Sequence, residues 1–331
     1  MKNLIIILSL LFSTVAVAQK HNIVNASIAL RNAQKAKGDE IGSLLKEAKE
    51  YIDEAYNNES TSNEAKMWNY RAPIYLEIAL KKPELDENAI IKATDAHLKC
   101  LQKGKKDRII VRKWTSKEDI LAGLIQCGYK LFNLGIDSYN EGDYRKSLTY
   151  YEKIFAIVPF DEEDQLKRGN ITKETILYNS YFSSNKLKDD SKSKELLQKL
   201  IDINFNEPAI YIHMSDIFKR EGNIEKTIEM LIGMFAIALF DKESQKLYLI
   251  RDRVGIKPLY FFKNKCFICF ASEIKAVREH PEVNLSISHQ AFSEYMWFGN
   301  PLGNNTIYKE IEELKPGSYK IISKSGTKEE T

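Results

Sequence analysis

Near residue 230 the spacing of apolar side chains changes from three and four residues to two, and one kind of secondary structure cannot serve both periods. From Asn22 to about Met230, apolar residues recur at helical spacing between short polar turns, with almost no strand-like alternation. Beyond it, Met234 to Phe240 is a short apolar run, Asp241 to Gln245 a polar turn, and Lys246 to Arg251 a second strand. A further strand over Leu259 to Phe262 turns at Lys263-Asn264-Lys265 into Cys266 to Ala271, and Ser272 to Val277 opens a helix. The chain therefore reads as multidomain, with an all-α part over 19–230 and an α+β part over 231–331. A length of 331 residues, 44% hydrophobic and 29% charged, suffices for two separate cores.

In the helical part the clearest segment runs from Leu131 to Pro159. Leu131, Leu134, Gly135, Gly142, Tyr144, Ser147, Tyr151, Ile154 and Pro159 fall at fixed offsets. Small residues stand where two helices touch, Gly142 supplies a turn, and Pro159 stops the second helix. A second copy begins at Pro208 and is cut short; Thr175 to Ile203 gives a looser one. The runs Gly38 to Asn57 and Lys66 to Leu80 read as neighbouring repeat helices. These offsets resemble tetratricopeptide repeats of exported proteins, which implies an all-α helical-repeat solenoid with a concave groove for a peptide or protein partner. Asn69, Arg71, Asn133 and Asp137 are the groove-facing candidates, each better explained by a solvated face than by a ligand contact. Trp68 and Tyr70 read as packing between helices.

Residues 1–18 have a basic start at Lys2, an apolar core from Leu4 to Phe12, and Ala16-Val17-Ala18 before Gln19. This is the pattern of a secretory signal peptide, so the expectation is a periplasmic or secreted protein with no membrane span after cleavage. Lys and Arg number 49 against 46 Asp and Glu, interspersed along the chain, which argues against nucleic acid as a partner. Cys100, Cys127, Cys266 and Cys269 are too few and scattered for a disulfide framework. Cys266 and Cys269 have C-x-x-C spacing, but on a strand residues three apart face opposite ways, so zinc or redox use is disfavoured. His21, His97, His213, His280 and His289 show no ligand or triad spacing.

The carboxyl-terminal phrase GMFAIALFDKESQKLYLIRDRVGIKPLY, followed by FASEIKAV, AFSEYMWFGNPLGNNTIYKEI and ELKPGSYKI, resembles the glutamine-hydrolysing asparagine synthetase family. The resemblance implies a truncated class II glutamine amidotransferase-like segment of the amino-terminal-nucleophile type, with two stacked antiparallel sheets between helices. It also implies two chemistries: a glutaminase that frees ammonia, and a synthetase that activates aspartate with ATP. The family's nucleophile is a cysteine at the mature amino terminus, whereas here Lys2 follows Met1 and the first cysteine is Cys100. No Asn-Gly-Glu oxyanion motif and no Ser-Gly-Gly-x-Asp-Ser pyrophosphate loop occur.

Arg251, Asp252, Arg253 and Lys257 invite a catalytic reading, but in the resembled family this phrase belongs to the scaffold. Gly255 and Pro258 shape a turn, and Ser272-Glu273 caps a helix. His280-Pro281 and Pro316-Gly317 are turn signals. No catalytic, cofactor-binding or metal-binding residue is therefore assigned. The leading expectation is an exported helical-repeat interaction scaffold joined to a glutaminase-like fragment, with a repeat helix interrupted within Ile228 to Gly233 as in a chimeric or truncated reading frame. The alternative is part of an asparagine synthetase.

Overall fold

Short hydroxyl side chains and glycines at the helix crossings decide how the first part of the chain is built. The computed structural model describes residues 20–104, 107–323 and 326–330, so the leader expected over 1–18 lies outside the described residues. The chain divides into two units, Met1–Asn206 and Glu207–Thr331. In the first, residues 20–35 form α1. There follow α2 (Glu40–Asn57), α3 (Ala65–Lys81), α4 (Ala89–Cys100), α5 (Lys117–Asn140), α6 (Tyr144–Phe155), α7 (Gln165–Arg168), α8 (Lys173–Lys186) and α9 (Asp190–Asp202). Apart from the short α7, successive helices from α2 to α9 pack on one another.

At the α5–α6 crossing Ser147 Oγ donates to the Gly135 carbonyl at 2.8 Å, and a Cβ on Gly135 would lie 2.8 Å from the Tyr151 ring. The Ser147 and Ser183 hydroxyls, 3.0 Å apart, tie α6 to α8, and Ser184 and Ser193, 2.8 Å apart, tie α8 to α9. Larger residues at these positions would force the helices apart.

The second unit opens with α10 (Ala209–Arg220) and α11 (Ile224–Glu229). Three helical hairpins, α5–α6, α8–α9 and α10–α11, share one turn. Gly142, Lys188 and Gly222 take positive φ (85°, 57° and 71°). The next residue, Asp143, Asp189 or Asn223, accepts the N–H three positions on with its side chain. Its own N–H reaches back to the carbonyl of Ser138, Ser184 or Phe218. A left-handed C-cap thus runs directly into an N-cap.

The sheet part holds β1 (Ala236–Asp241), β2 (Lys246–Arg251), β3 (Tyr260–Lys263), β4 (Ile268–Ala271), α12 (Ile274–Arg278), α13 (His289–Phe298), β5 (Ile311–Glu313), β6 (Tyr319–Ser323) and β7 (Gly326–Glu330). One sheet has the order β1-β2-β6-β7 and the other β4-β3-β5, with every pairing antiparallel. Strand alternation sorts the side chains into layers. From β2, Leu247 and Leu249 meet Ile322, Phe261 and Ile268 between the sheets. Tyr248 and Ile250 point the other way, to Tyr319, Ile321 and the α11 residues Ile224 and Ile228. Beyond the second sheet, Phe262 and Ile311 pack with Val277 and Ile274 of α12. The order of layers is helix, sheet, sheet, helix, and β2 reads as an unbroken apolar run because both its faces are covered.

The helix near Thr227, where the sequence reads as an interrupted repeat, is α11, six residues long against twelve in α6 and thirteen in α9; it is capped by Asn223, and its apolar side covers the first sheet. It lies in the same compact unit as that sheet, a unit that begins at Glu207. One expectation changes here. Strand β4 starts at Ile268 instead of Cys266, because Asn264 Oδ1 accepts the N–H groups of Cys266 (2.8 Å) and Phe267 (2.9 Å) and holds them in the turn.

Candidate functional site

The Arg251–Tyr260 phrase that invites a catalytic reading is a turn closed around two buried charges. Asp252, 1% exposed, accepts the N–H groups of Val254 and Ile256 on Oδ1 and of Lys257 on Oδ2, all at 3.1 Å. Its main-chain carbonyl accepts from Gly255 (3.0 Å) and Gly317 (2.8 Å). Burial pushes this carboxyl up, and the N–H groups of Lys257, Ile256, Gly255 and Val254 more than offset that, leaving it below its ordinary value.

Arg251 is buried beside it. Its Nε donates to the Lys257 carbonyl (3.0 Å), Nη1 to Leu314 (2.5 Å) and Nη2 to Gly255 (2.9 Å), and Nη2 also pairs with Glu313 at 2.8 Å. Gly255 is at φ +72°, and a Cβ there would stand 2.7 Å from Pro316 Cγ. Gly255 and Pro316-Gly317 are therefore two sides of one clamp. Arg253 and Lys257 are exposed, and Arg253 donates to the Glu229 carbonyl at 3.3 Å. Four of the five guanidinium N–H donors of Arg251 and both carboxylate oxygens of Asp252 are engaged by the fold, so these residues position strands.

The other sequence candidates scatter. Glu273, not Ser272, is the N-cap of α12, and it makes no side-chain cap bond. Cys266 is exposed in the turn before β4, while burial raises the Cys269 thiol. Cys100 and Cys127 are buried in the helical unit with thiols pushed up to about 12. His21 and His289 are exposed, and His280 stacks on Phe267 at 4.5 Å. Burial lowers His213, and His97 is buried between α4 and α5. Among the described residues no group of three His, Cys, Asp or Glu converges on a metal position. No described helix is long and apolar enough to cross a membrane.

Of the groove candidates, Asn133 and Asp137 are exposed on α5. Arg71 is not on a solvated face: it is 5% exposed, bound to Asp53 Oδ1 at 2.7 Å, and lies over the rings of Tyr56 (4.0 Å) and Tyr75 (4.6 Å). Asp53 also accepts from the Tyr75 hydroxyl at 2.6 Å; burial and this bond raise the phenol. Trp68 packs edge-on against Tyr56 at 5.5 Å. Among the described residues, Trp68 Nε1 and Asn69 Oδ1 have no hydrogen-bond partner.

A cleft of about 360 Å³ lies instead between Ile136, Tyr139 and Asn140 of α5, Tyr151 of α6, and Asn179 and Phe182 of α8. Its row on α5 follows i, i+3, i+4 spacing, a signal present in the sequence but displaced by one residue from Asp137. On the second unit, α13 buries only Ala291 and leaves Tyr295, Met296, Trp297 and Phe298 exposed.

The sequence that builds these sheets and this turn matches known proteins. Residues 214–331 match the family model of a glutamine amidotransferase domain, a match that begins inside α10 and takes in α11 and both sheets. The curated relatives that this chain resembles are asparagine synthetases. The chain is 34% identical over 103 residues to glutamine-hydrolysing asparagine synthetase 3 of Bacillus subtilis, covering 31% of this chain and 17% of that protein. It is 26% identical over 200 residues to a putative asparagine synthetase 2 of Methanocaldococcus jannaschii, covering 55% and 36%. With the human glutamine-hydrolysing asparagine synthetase it shares 29% over 114 residues, covering 34% and 16%. The chain thus spans about a sixth to a third of the length of these relatives. The carboxyl-terminal unit is glutamine amidotransferase-like, and it joins a helical amino-terminal region.

Proposed function

We propose that the chain takes part in glutamine-dependent amide transfer of the asparagine synthetase kind, with its carboxyl-terminal unit as the strand-and-turn frame of the glutaminase half. The observation that carries this is the match over 214–331 onto a unit whose layers and Arg251-Asp252 turn are fully built. The reaction named for the relatives is glutamine-hydrolysing asparagine synthesis, in which ammonia from glutamine is added to ATP-activated aspartate.

Glutamine hydrolysis needs an activated nucleophile and donors for the oxyanion. Thiols at about 12, as for Cys100 and Cys127, stay protonated near neutral pH, so neither of these two buried cysteines supplies the attacking sulfur. Grafting tests this. When residues 207–331, the unit that holds the match, replace the corresponding segment of the Bacillus subtilis synthetase 3, the hybrid is expected to keep making asparagine from glutamine, aspartate and ATP. A hybrid that uses added ammonia but not glutamine is folded in its synthetase half, and it would overturn the assignment.

A second reading concerns the helical unit: an exported, tetratricopeptide-like docking scaffold for a peptide or protein. The α5–α6–α8 cleft supports it, being apolar, open and lined from two successive hairpins. Ile136, 38% exposed, can be changed without disturbing the core. Ile136→Glu is expected to lower capture of specific partners by at least about fivefold with an unchanged melting curve. Undiminished capture by a folded variant counts against the cleft.

A further inference from the structure

The α4–α5 connection carries a charge pattern that neither reading uses. From Lys99 to Lys117 the sequence has eight basic residues and a single acid, Asp107. The fold turns part of this run into the wall of a second cleft, of about 710 Å³, sharing no residue with the first. Lys103, Arg108, Arg112 and Lys117 line it, together with the Thr115 and Ser116 hydroxyls. The described residues of the connection are held by main-chain bonds. Lys103 and Ile109 form an antiparallel bridge, Ile110 N–H donates to Gln102 at 3.0 Å, and Trp114 N–H to Val111 at 2.9 Å. Leu101 and Val111 anchor it in the core.

The acids on this cleft are few and already engaged. Asp107 pairs with Lys103 at 2.9 Å and Glu162 with Lys117 at 2.6 Å. Arg108 and Arg112 are exposed, and among the described residues neither guanidinium has an ionic or hydrogen-bonding partner. Two unpaired arginines four residues apart present two planar forks, each suited to a carboxylate in bidentate contact. A concave wall with more than one such fork favours a short extended acidic segment over a flat anionic surface.

We propose that this cleft docks an acidic peptide segment of a partner protein, with Arg108 and Arg112 as its carboxylate contacts. The inference goes beyond the α5–α6–α8 cleft and stands or falls separately from it. Exposed contacts of this kind are individually weak and strongly salt-dependent, so the affinity depends on several acting together.

Fluorescence anisotropy of the full chain with a labelled Glu/Asp-rich dodecapeptide tests it at low and at physiological salt. The double variant Arg108→Glu, Arg112→Glu is expected to bind about tenfold more weakly, and wild-type binding to fall as salt rises. Thermal melting should be unchanged, both side chains being exposed. Arg31→Glu, Lys35→Glu, equal in charge change and exposed on α1, is the control and should bind within about twofold of wild type. Equal loss in both variants would reduce the effect to net charge and overturn the site. So would absent peptide binding at low salt, or Arg108- and Arg112-dependent binding only to an RNA oligonucleotide or to phosphatidylserine vesicles.

Discussion

Replacing Arg251 by methionine should destabilise the carboxyl-terminal unit by about 3–5 kcal/mol, because removing one partner of a buried charged pair leaves the other uncompensated. Methionine keeps much of the aliphatic stem's packing, so the loss reports the guanidinium. Three carbonyls, those of Lys257, Leu314 and Gly255, lose their donor at once, and Glu313 loses its cation. Those carbonyls belong to the turn after β2 and to the segment just before β6, so both should open together. Denaturant titration followed by hydrogen exchange of β2 and β6 measures it. Arg253→Met is the companion: exposed, with one long bond to Glu229, it should cost under about 0.5 kcal/mol. A change below about 1 kcal/mol at Arg251 would mean that water reaches these groups and that the turn is not the lock described above.

The helical unit should lose about 3 kcal/mol of stability as pH falls from 6.5 to 4. His97 is 4% exposed, with its Nδ1 2.8 Å from the Ala93 carbonyl, and a Cβ on Gly123 would lie 2.3 Å from its Nε2, so no room exists for a water shell on a charged ring. Burial lowers its pKa from 6.5 to about 4, against a smaller upward effect of the Ala93 bond. The folded value lies below the unfolded one, so this contribution is fully present above pH 6.5 and is lost as pH falls through the folded value. Each pH unit in the window is worth about 1.4 kcal/mol. His97→Leu should flatten the curve between pH 6.5 and 4. An unchanged slope in that variant would assign the acid sensitivity to carboxylates such as Asp53, which its bonds to Tyr75, Lys49 and Arg71 hold below the usual range despite burial.

Much of the fold was readable where local rules and tertiary demands agree. The Leu131–Pro159 offsets predicted the Gly135–Ser147 crossing, because only small residues allow it. The two short apolar runs either side of Asp241–Gln245 predicted the β1–β2 hairpin; β2 is covered on both faces, whereas Leu239 and Phe240 of β1 are exposed. Gly255 was readable as the turn former of the Arg251–Pro258 phrase, and it does take positive φ.

What escaped depended on distant partners. Helical periodicity says that α11 is amphipathic, not whether a helix or a sheet lies opposite, so 230 looked like the natural break. Arg71 looked solvated because nothing nearby in sequence announces Asp53, Tyr56 and Tyr75 around it. The basic run at Lys99–Lys117 vanished into a near-even charge total that averages over the whole chain.

The shared hairpin turn has a consequence for how such chains diversify. A turn closed by Gly142, Lys188 or Gly222 and the following Asp or Asn is self-contained, so the helix after it is free to present its apolar side to whatever core is next. After Asp143 and Asp189 the helix that follows packs within the helical unit, and after Asn223 it covers a sheet. One connector therefore serves two architectures, and a fragment begun at 231 would bare Tyr248, Ile250, Tyr319 and Ile321 to water. The workable seam for exchange or truncation is the stretch after α9.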